Sequence, residues 1–221
     1  MRILTKTFAN PVYARALPFL IFVVLTACQG RFGAASAYWF YLAKTLVGAW
    51  LIFEMRPLVS EMRWAISWEA IAVGVLIFAV WVGFEGHYPK IFKSPSTGNP
   101  ATVFAAGSAL PWFFNAVHIV GMTLVVPPLE EVFYRSFIYR YIASPNFLAV
   151  PLNRFQPLPF CATALVFGFS HNEWLPGILC GAAYQWLVIH KNRLGDAMAA
   201  HAITNFLLGI YIVWHGQWQL W

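Results

Sequence analysis

Two adjacent glutamates, Glu130 and Glu131, follow a pair of prolines inside an otherwise apolar stretch of the chain. Glu131 and Arg135 are four residues apart with the acid first, which is the favourable order for an ion pair along a helix. Glu130 is left without such a partner, and a carboxyl group in this setting is suited to general-base chemistry. An alternative interpretation is a helix start, where proline and first-turn acids are common, but this leaves Arg135 unexplained.

Two further polar groups occur nearer the C-terminus. His171 closes an apolar run four residues after Phe167, and a histidine at such a position serves either at a membrane interface or in catalysis. His201 and Asn205 are also four residues apart, so both project from one helix face. They are able to polarise a carbonyl group or to form hydrogen bonds between helices, and the spacing alone leaves both interpretations open.

The composition indicates which elements must position these side chains. Of 221 residues, 60% are hydrophobic and 10% are charged, whereas soluble domains contain about 25% charged residues. Despite the net charge of +6, a soluble nucleic-acid-binding protein is excluded, and so is a disordered chain. We expect an all-α fold, namely a polytopic membrane helix bundle of about seven to eight transmembrane helices.

A membrane-spanning helix requires about 20 mostly apolar residues. A helical continuation to about Tyr141 follows the two prolines, and the sequence does not decide whether it extends the fourth apolar segment. We expect one domain, in which residues 1–100 form N-terminal transmembrane helices and residues 101–221 form the core that carries the polar groups. The predicted apolar segments are 15–30, 36–54, 66–84, 101–126, 158–172, 175–190 and 194–215.

The basic residues predict an orientation, because cytoplasmic loops are enriched in Lys and Arg. With a cytoplasmic N-terminus and seven spans, the inner side receives Arg2, Lys6, Arg15, Arg56, Arg63, Arg135, Arg140, Arg154, Lys191 and Arg193. The outer side receives Arg31, Lys90 and Lys93, and Lys44 lies within a span. We expect an integral protein of a prokaryotic inner membrane. Cys28 ends a lipobox-like Leu-Thr-Ala-Cys, but the long charged stretch before it favours a retained first helix.

Helix geometry allows the polar groups to meet. At ~1.5 Å per residue, Glu130, His171, His201 and Asn205 lie ~12–21 Å from the expected cytoplasmic ends of their helices. Three helices therefore place polar side chains at similar depths, as a buried site requires.

Taken in order, Glu130-Glu131-x-x-x-Arg135, Phe167-x-x-x-His171 and His201-x-x-x-Asn205 resemble the motifs of the CAAX-protease and bacteriocin-processing family of intramembrane proteases. This family includes the Ras-converting CAAX endopeptidases and short exosortase-associated forms. The resemblance covers about residues 101–215. The first motif is the specific one, because ~0.01 matches are expected by chance in this composition. Phe114-x-x-x-His118 also fits the second motif, but it precedes the glutamates.

The resemblance implies a glutamate-dependent endopeptidase that hydrolyses a peptide bond in a membrane-associated peptide, either CAAX-like or of the sorting-signal type. It implies that Glu130 and His171 activate a water molecule and that His201 and Asn205 stabilise the oxyanion. Supporting roles fall to Glu131, Arg135 and Phe167. No metal or other cofactor is expected, and the expected partners are a membrane-associated peptide or protein substrate and the lipid bilayer, with no nucleic acid.

Two other functions are compatible with a polar site inside a membrane bundle. One is a non-catalytic scaffold or immunity protein of the same fold, against which all four expected catalytic positions are present. The other is a proton-coupled transporter, against which no repeat relates the two halves of the chain. Aspartyl intramembrane proteases need two Asp and the chain has only Asp196, while the HExxH motif of zinc proteases is absent.

Overall fold

Residues 8–91, 98–105 and 107–221 are described by a computed structural model, and within these ranges the protein is helical with no β-strand. The expected all-α class is confirmed, and each predicted apolar segment corresponds to one α-helix. Arg2, Lys6 and Lys93, which entered the orientation argument, lie outside the described residues. The α-helices are α1 (Pro11–Ala27), α2 (Ser36–Met55), α3 (Trp68–Phe84), α4 (Leu110–Ala143), α5 (Pro157–Phe169), α6 (Trp174–Lys191) and α7 (Gly195–His215).

Local capping sets several helix boundaries that hydropathy alone misplaces. Helix α1 begins four residues before the predicted segment because the Asn10 side chain accepts a hydrogen bond of 2.9 Å from the backbone N–H of Val12, which is a typical N-cap interaction. Ser67 caps α3 in the same way through the N–H of Ala70 at 3.3 Å. Helix α6 ends at Asn192, whose φ of 52° is left-handed, and such a residue terminates many helices.

Helix α4 runs without a break for 34 residues, from Leu110 to Ala143. It therefore joins the fourth predicted segment to its continuation, and the glutamates lie in its middle. The helix-start interpretation of the two prolines is wrong for this reason. Two π-helical segments, Gly121–Val125 and Val132–Ile138, flank the turn that holds Glu130 and Glu131. Such wide turns accommodate a proline that lacks its N–H donor, and they often occur at functional sites.

The exposed and buried surfaces are distributed in the opposite way to those of a soluble domain. Large apolar side chains such as Val24, Phe53 and Leu76 are 61–69% exposed on the outer faces, whereas Glu131 and Arg135 are completely buried. Contiguous apolar faces of this kind indicate contact with lipid. Among the described helices, α4 and α7 are both long enough and apolar enough to cross a membrane; the count of seven to eight spans stays a prediction.

Glycines allow the helices next to the polar groups to approach closely. A Cβ atom added to Gly168 of α5 would lie 2.7 Å from the backbone nitrogen of Ile178 in α6. One added to Gly177 would lie 2.9 Å from the Cα atom of Gly168. The α5–α6 contact is therefore a backbone-to-backbone contact of the small-residue type common in membrane bundles.

A charged cluster joins helices α1 and α4 to the loop between α2 and α3. Glu61 in this loop pairs with Arg15 of α1 at 2.9 Å and with Arg140 of α4 at 2.6 Å, and it accepts a hydrogen bond from the Ser136 hydroxyl. Both guanidinium groups lie 5.5 Å from the ring centroid of Phe147. One carboxylate thus holds together three parts of the chain that are distant in sequence.

Candidate functional site

The centre of the candidate site is a buried ion pair on α4. Glu131 Oε2 lies 3.1 Å from Arg135 Nε, and both side chains are fully buried. The spacing predicted this pair, and the π-helical segment from Val132 carries Arg135. The two groups are not aligned as a hydrogen bond, so the guanidinium instead donates through Nη2 to the Gly181 carbonyl at 3.3 Å. Because a buried charge without a partner is strongly unfavourable, each group requires the other.

The aromatic ring of Phe167 in α5 packs against the Arg135 guanidinium of this ion pair. The Arg135 guanidinium carbon lies 4.3 Å from the Phe167 ring centroid, which is within the range of a cation–π interaction. The Phe167 ring is completely buried and packs edge-on against Tyr134 at 5.0 Å. The first and second sequence motifs therefore meet through a single aromatic ring.

His201 of α7 connects the third motif to the same carboxylate. Its Nδ1 lies 2.9 Å from Glu131 Oε1. An ionised carboxylate only accepts hydrogen bonds, so Nδ1 carries the proton and Nε2 is the free nitrogen. The ring stacks on Tyr184 of α6 at 5.2 Å, which fixes its plane. Glu131 is thus shared between α4 and α7, and sequence reasoning did not predict this contact.

His171 lies just beyond the C-terminus of α5 and has a defined tautomer. Its Nδ1 lies 2.7 Å from the carbonyl oxygen of Phe167. A carbonyl oxygen cannot donate, so Nδ1–H donates and Nε2 keeps a free lone pair. Trp81 of α3 packs edge-on against the ring at 5.7 Å. Phe167 therefore links the first and second motifs, with its ring toward Arg135 and its carbonyl toward His171, and the latter contact explains the four-residue spacing.

Glu130 is the carboxylate that is left over. One of its oxygens, Oε2, is buried without a hydrogen-bond partner among the described residues. The group interacts electrostatically with His201, Glu131 and Arg135, and also with Lys44 of α2. Buried polar atoms are nearly always hydrogen-bonded. Glu131 Oε2 and Arg135 Nε also lack a hydrogen bond, but they form an ion pair at 3.1 Å, whereas Glu130 forms no ion pair among the described residues. Glu130 is available for chemistry, whereas Glu131 is occupied by structural contacts.

Asn205 is bound to the backbone of α4. Its Nδ2 donates a hydrogen bond of 2.7 Å to the Met122 carbonyl oxygen. In the π-helical turn the N–H of Val126 bonds back to the Gly121 carbonyl oxygen. The next residue, Pro127, would donate to the Met122 carbonyl oxygen in the same pattern, but proline has no N–H. The hydrogen bond between helices is thus observed for both His201 and Asn205, and one amide hydrogen of Asn205 remains free.

The structure brings the three motifs together at the junction of α4, α5 and α7. Contacts of 4.3 Å or less run from Phe167 to Arg135 and through Glu131 to His201. Sequence reasoning assigned no role to Lys44, which is buried in α2; an ionisable residue within an apolar span was the available signal. Among the described residues, no group of three His, Cys, Asp or Glu side chains is arranged to hold a metal ion.

A sequence model described as "Type II CAAX prenyl endopeptidase Rce1-like" matches residues 111–207 of the chain. This range contains all the residues of the candidate site from Glu130 to Asn205. No curated protein and no solved structure matches the chain.

Proposed function

We propose, on the basis of the match of residues 111–207 to the Rce1-like family of CAAX prenyl endopeptidases, that the chain is a glutamate-dependent intramembrane endopeptidase. The observation that carries the proposal is that the buried Glu130 Oε2 has no hydrogen bond and Glu130 forms no ion pair among the described residues, whereas Glu131 is paired with both Arg135 and His201. A carboxylate that is free, buried and surrounded by oriented polar groups has the properties of a general base.

In this proposal Glu130 removes a proton from water while the water oxygen attacks the carbonyl carbon of the scissile peptide bond. The proton then passes to the peptide nitrogen, the C–N bond breaks, and a carboxylate and an amine are formed. His171 orients the water through Nε2, because Nδ1 is held by the Phe167 carbonyl. The fixed tautomer supports this role, since only a lone pair on Nε2 accepts a hydrogen bond from water.

The developing oxyanion needs hydrogen-bond donors that are already in position. Asn205 has one free amide hydrogen after its bond to Met122, and we assign it to this role. His201 donates through Nε2 only when both of its ring nitrogens are protonated, because Nδ1–H is bonded to Glu131.

Glu131, Arg135 and Phe167 act as positioning residues in this scheme. Their contacts link α4 to α5 and α7, and they do not touch the reacting atoms. In this proposal the two adjacent glutamates have different roles: Glu131 holds α4 in position, and Glu130 carries out the chemistry.

The proposed substrate is a membrane-associated peptide of the CAAX-like or sorting-signal type. An apolar groove of about 350 Å³ is lined by Thr123 and Leu124 of α4 and by Ala202 and Phe206 of α7. These residues neighbour Met122 and Asn205 in sequence, so the groove supports entry of an apolar peptide from the bilayer. We also propose a prokaryotic inner membrane location with a cytoplasmic N-terminus, which the basic residues favour.

The test is cleavage of a fluorescent peptide that ends in S-farnesylcysteine and three apolar residues, with purified protein in lipid nanodiscs. Glu130→Gln and His171→Ala should each lower kcat by ~10²–10⁴-fold, the usual contribution of general acid–base groups. Glu54→Gln is the matched control, because Glu54 lies near the C-terminal end of α2 and belongs to none of the three motifs.

Cleavage that persists in both variants would contradict the assignment of the catalytic residues. Wild-type protein that cleaves no member of a library of such peptides would favour a non-catalytic scaffold. Proton flux into sealed vesicles without proteolysis would favour a transporter.

A further inference from the structure

A second polar cavity lies at the end of the bundle where α1 ends and α2 begins. This basic cleft has a volume of about 600 Å³ and is lined by Arg31, Lys44 and His118, together with the amide side chains of Gln29 and Asn172. No acidic side chain is among the residues that line it. Its size falls within the range of about 300–1,000 Å³ that is typical of small-ligand sites.

Lys44 is the most unusual side chain in the basic cleft. It is only 6% exposed, and its ammonium group lies over the rings of Tyr41 at 4.4 Å and Phe22 at 4.8 Å. Its one hydrogen bond among the described residues is to the Thr26 hydroxyl at 3.1 Å. An ammonium group has three donors, so two remain for a ligand. A buried cation with unused donors is a strong site for an anion, because charge-assisted hydrogen bonds are strongest away from water.

His118 lies beside Lys44 and is also more than nine-tenths buried. Its ring lies between the rings of Tyr41 at 3.7 Å and Trp221 at 3.9 Å. Among the described residues, neither ring nitrogen has a hydrogen-bond partner, although both faces of the ring are covered. The edge of the ring therefore supplies an N–H donor to the cleft.

The basic cleft adjoins the proposed catalytic groups. Asn172, which lines it, directly follows His171 in sequence, and Lys44 interacts electrostatically with Glu130. Gln29 donates through Nε2 to the Ala37 carbonyl at 3.1 Å, so its side-chain oxygen remains free to accept a peptide N–H. The cleft thus combines donors for an anion with amide groups that match a peptide backbone.

We propose that the basic cleft binds the free C-terminal carboxylate of the peptide substrate through Lys44 and His118. The inference rests on the proposed function, and it adds which side chains of this protein hold the C-terminal end of the peptide. A carboxylate fits the few available donors, and the amide groups of Gln29 and Asn172 then face the last peptide units. The distance between the cleft and Glu130 would set how many residues are released.

The test measures binding separately from cleavage. Protein carrying Glu130→Gln, which should not consume the probe, is reconstituted in phosphatidylcholine nanodiscs. Two fluorescent peptides of identical sequence, ending in S-farnesylcysteine and three apolar residues, are titrated by anisotropy: one with a free carboxylate and one with a C-terminal amide. The carboxylate form should bind about 10- to 100-fold more tightly, as expected for hydrogen bonds to a charged group.

Lys44→Met in the same background should remove this difference and leave the affinity of the amide peptide unchanged. Arg56→Met is the matched control, because Arg56 is an exposed cation that follows the opposite end of α2, and it should keep the difference. If Lys44→Met does not fold, as judged by its thermal midpoint, His118→Gln must reduce the carboxylate preference, and an unchanged preference overturns the proposal.

Equal affinities for the acid and amide peptides, or a preference that survives Lys44→Met, would overturn the proposal. A further outcome is competition by lipid. If added phosphatidylglycerol abolishes the binding of both peptides, and does so only when Lys44 is present, the cleft binds a lipid phosphate and the proposal is overturned. A failure of the proposed function is separate from these results: protein with Glu130 intact would bind the carboxylate peptide selectively but leave both peptides uncut.

Discussion

Asn205 donates its side-chain N–H to the Met122 carbonyl oxygen at 2.7 Å, and this oxygen lacks a backbone donor because Pro127 occupies the corresponding position. The bond holds α7 against α4 at the turn that precedes the two glutamates. It also orients the amide whose second hydrogen we assign to the oxyanion. One side chain therefore has a structural and a proposed catalytic contact.

Replacing Asn205 with Ala should affect both. The Met122 carbonyl would be buried without a donor, which costs about 1–3 kcal/mol of stability. Loss of an oxyanion donor should lower kcat by ~10²–10³-fold. Thermal unfolding and peptide cleavage measure the two effects, and an Asn205→Ala protein with wild-type stability would show that the interhelical bond is unimportant.

Phe167→Leu should separate positioning from packing. A volume-similar apolar replacement in the core costs less than about 1.5 kcal/mol, and loss of the ring removes the support of the Arg135 guanidinium at 4.3 Å. The backbone carbonyl that binds His171 is retained. We expect a larger fall in kcat than in stability, whereas Phe114→Leu, at the other match to the same motif, should leave kcat unchanged.

Glu61 should make stability sensitive to acid. Burial raises its pKa, but the Ser136 hydroxyl and the guanidinium groups of Arg15 and Arg140 outweigh burial and lower the pKa to about 2. The folded state thus binds this proton less readily than the unfolded chain, whose Glu pKa is about 4.3. The stabilisation is fully present above that value and is lost as the pH falls toward 2.

The measurement is the thermal midpoint between pH 7 and pH 3, where the wild-type protein should lose on the order of 1 kcal/mol or more as this carboxylate protonates. Glu61→Gln should be less stable at pH 7, because both arginines lose their charged partner. Its midpoint should also change less with pH, and a midpoint that falls in parallel with that of the wild type would exclude Glu61 as the source.

Gly168→Ala and Gly83→Ala form a matched pair of helix substitutions. At Gly168 the new Cβ would lie 2.7 Å from the Ile178 backbone nitrogen, whereas at Gly83 nothing lies within 4 Å. Gly168→Ala should therefore destabilise the protein by about 1–3 kcal/mol, and Gly83→Ala should stabilise it by up to about 1 kcal/mol. Similar midpoints for the two variants would argue against the close α5–α6 contact.

How much of the structure could be predicted from the sequence depends on how far apart in the chain the interacting residues lie. Apolar segments and the i,i+4 pair of Glu131 and Arg135 are local, so hydropathy and helix periodicity locate them. The Glu131–His201 hydrogen bond joins residues 70 positions apart, and no local pattern specifies it. The π-helical turns of α4 were not predicted either, because their signal, a proline pair within an apolar run, also occurs at helix starts.

Lys44 shows a different limit. The sequence identified it as a cation within a span, but its importance depends on neighbours from three other segments, among them Thr26 and His118. Phe114-x-x-x-His118 fits the second motif by spacing, yet in the fold His118 lines the basic cleft, whereas His171 is bonded to Phe167 in the candidate site. Spacing selects helix faces, and only packing decides which faces meet.

The close contact of Gly168 with Gly177 has a mechanical consequence. Helices α5 and α6 touch through their backbones, so sliding or separation would lose the contact. We expect the two helices to move as one rigid unit that carries His171. Helix α4, by contrast, contains two wide turns and meets α7 at the apolar groove beside Asn205. Opening toward the bilayer at the α4–α7 seam would have to break the Asn205–Met122 and His201–Glu131 hydrogen bonds, so these two bonds should set the resistance of the groove to opening.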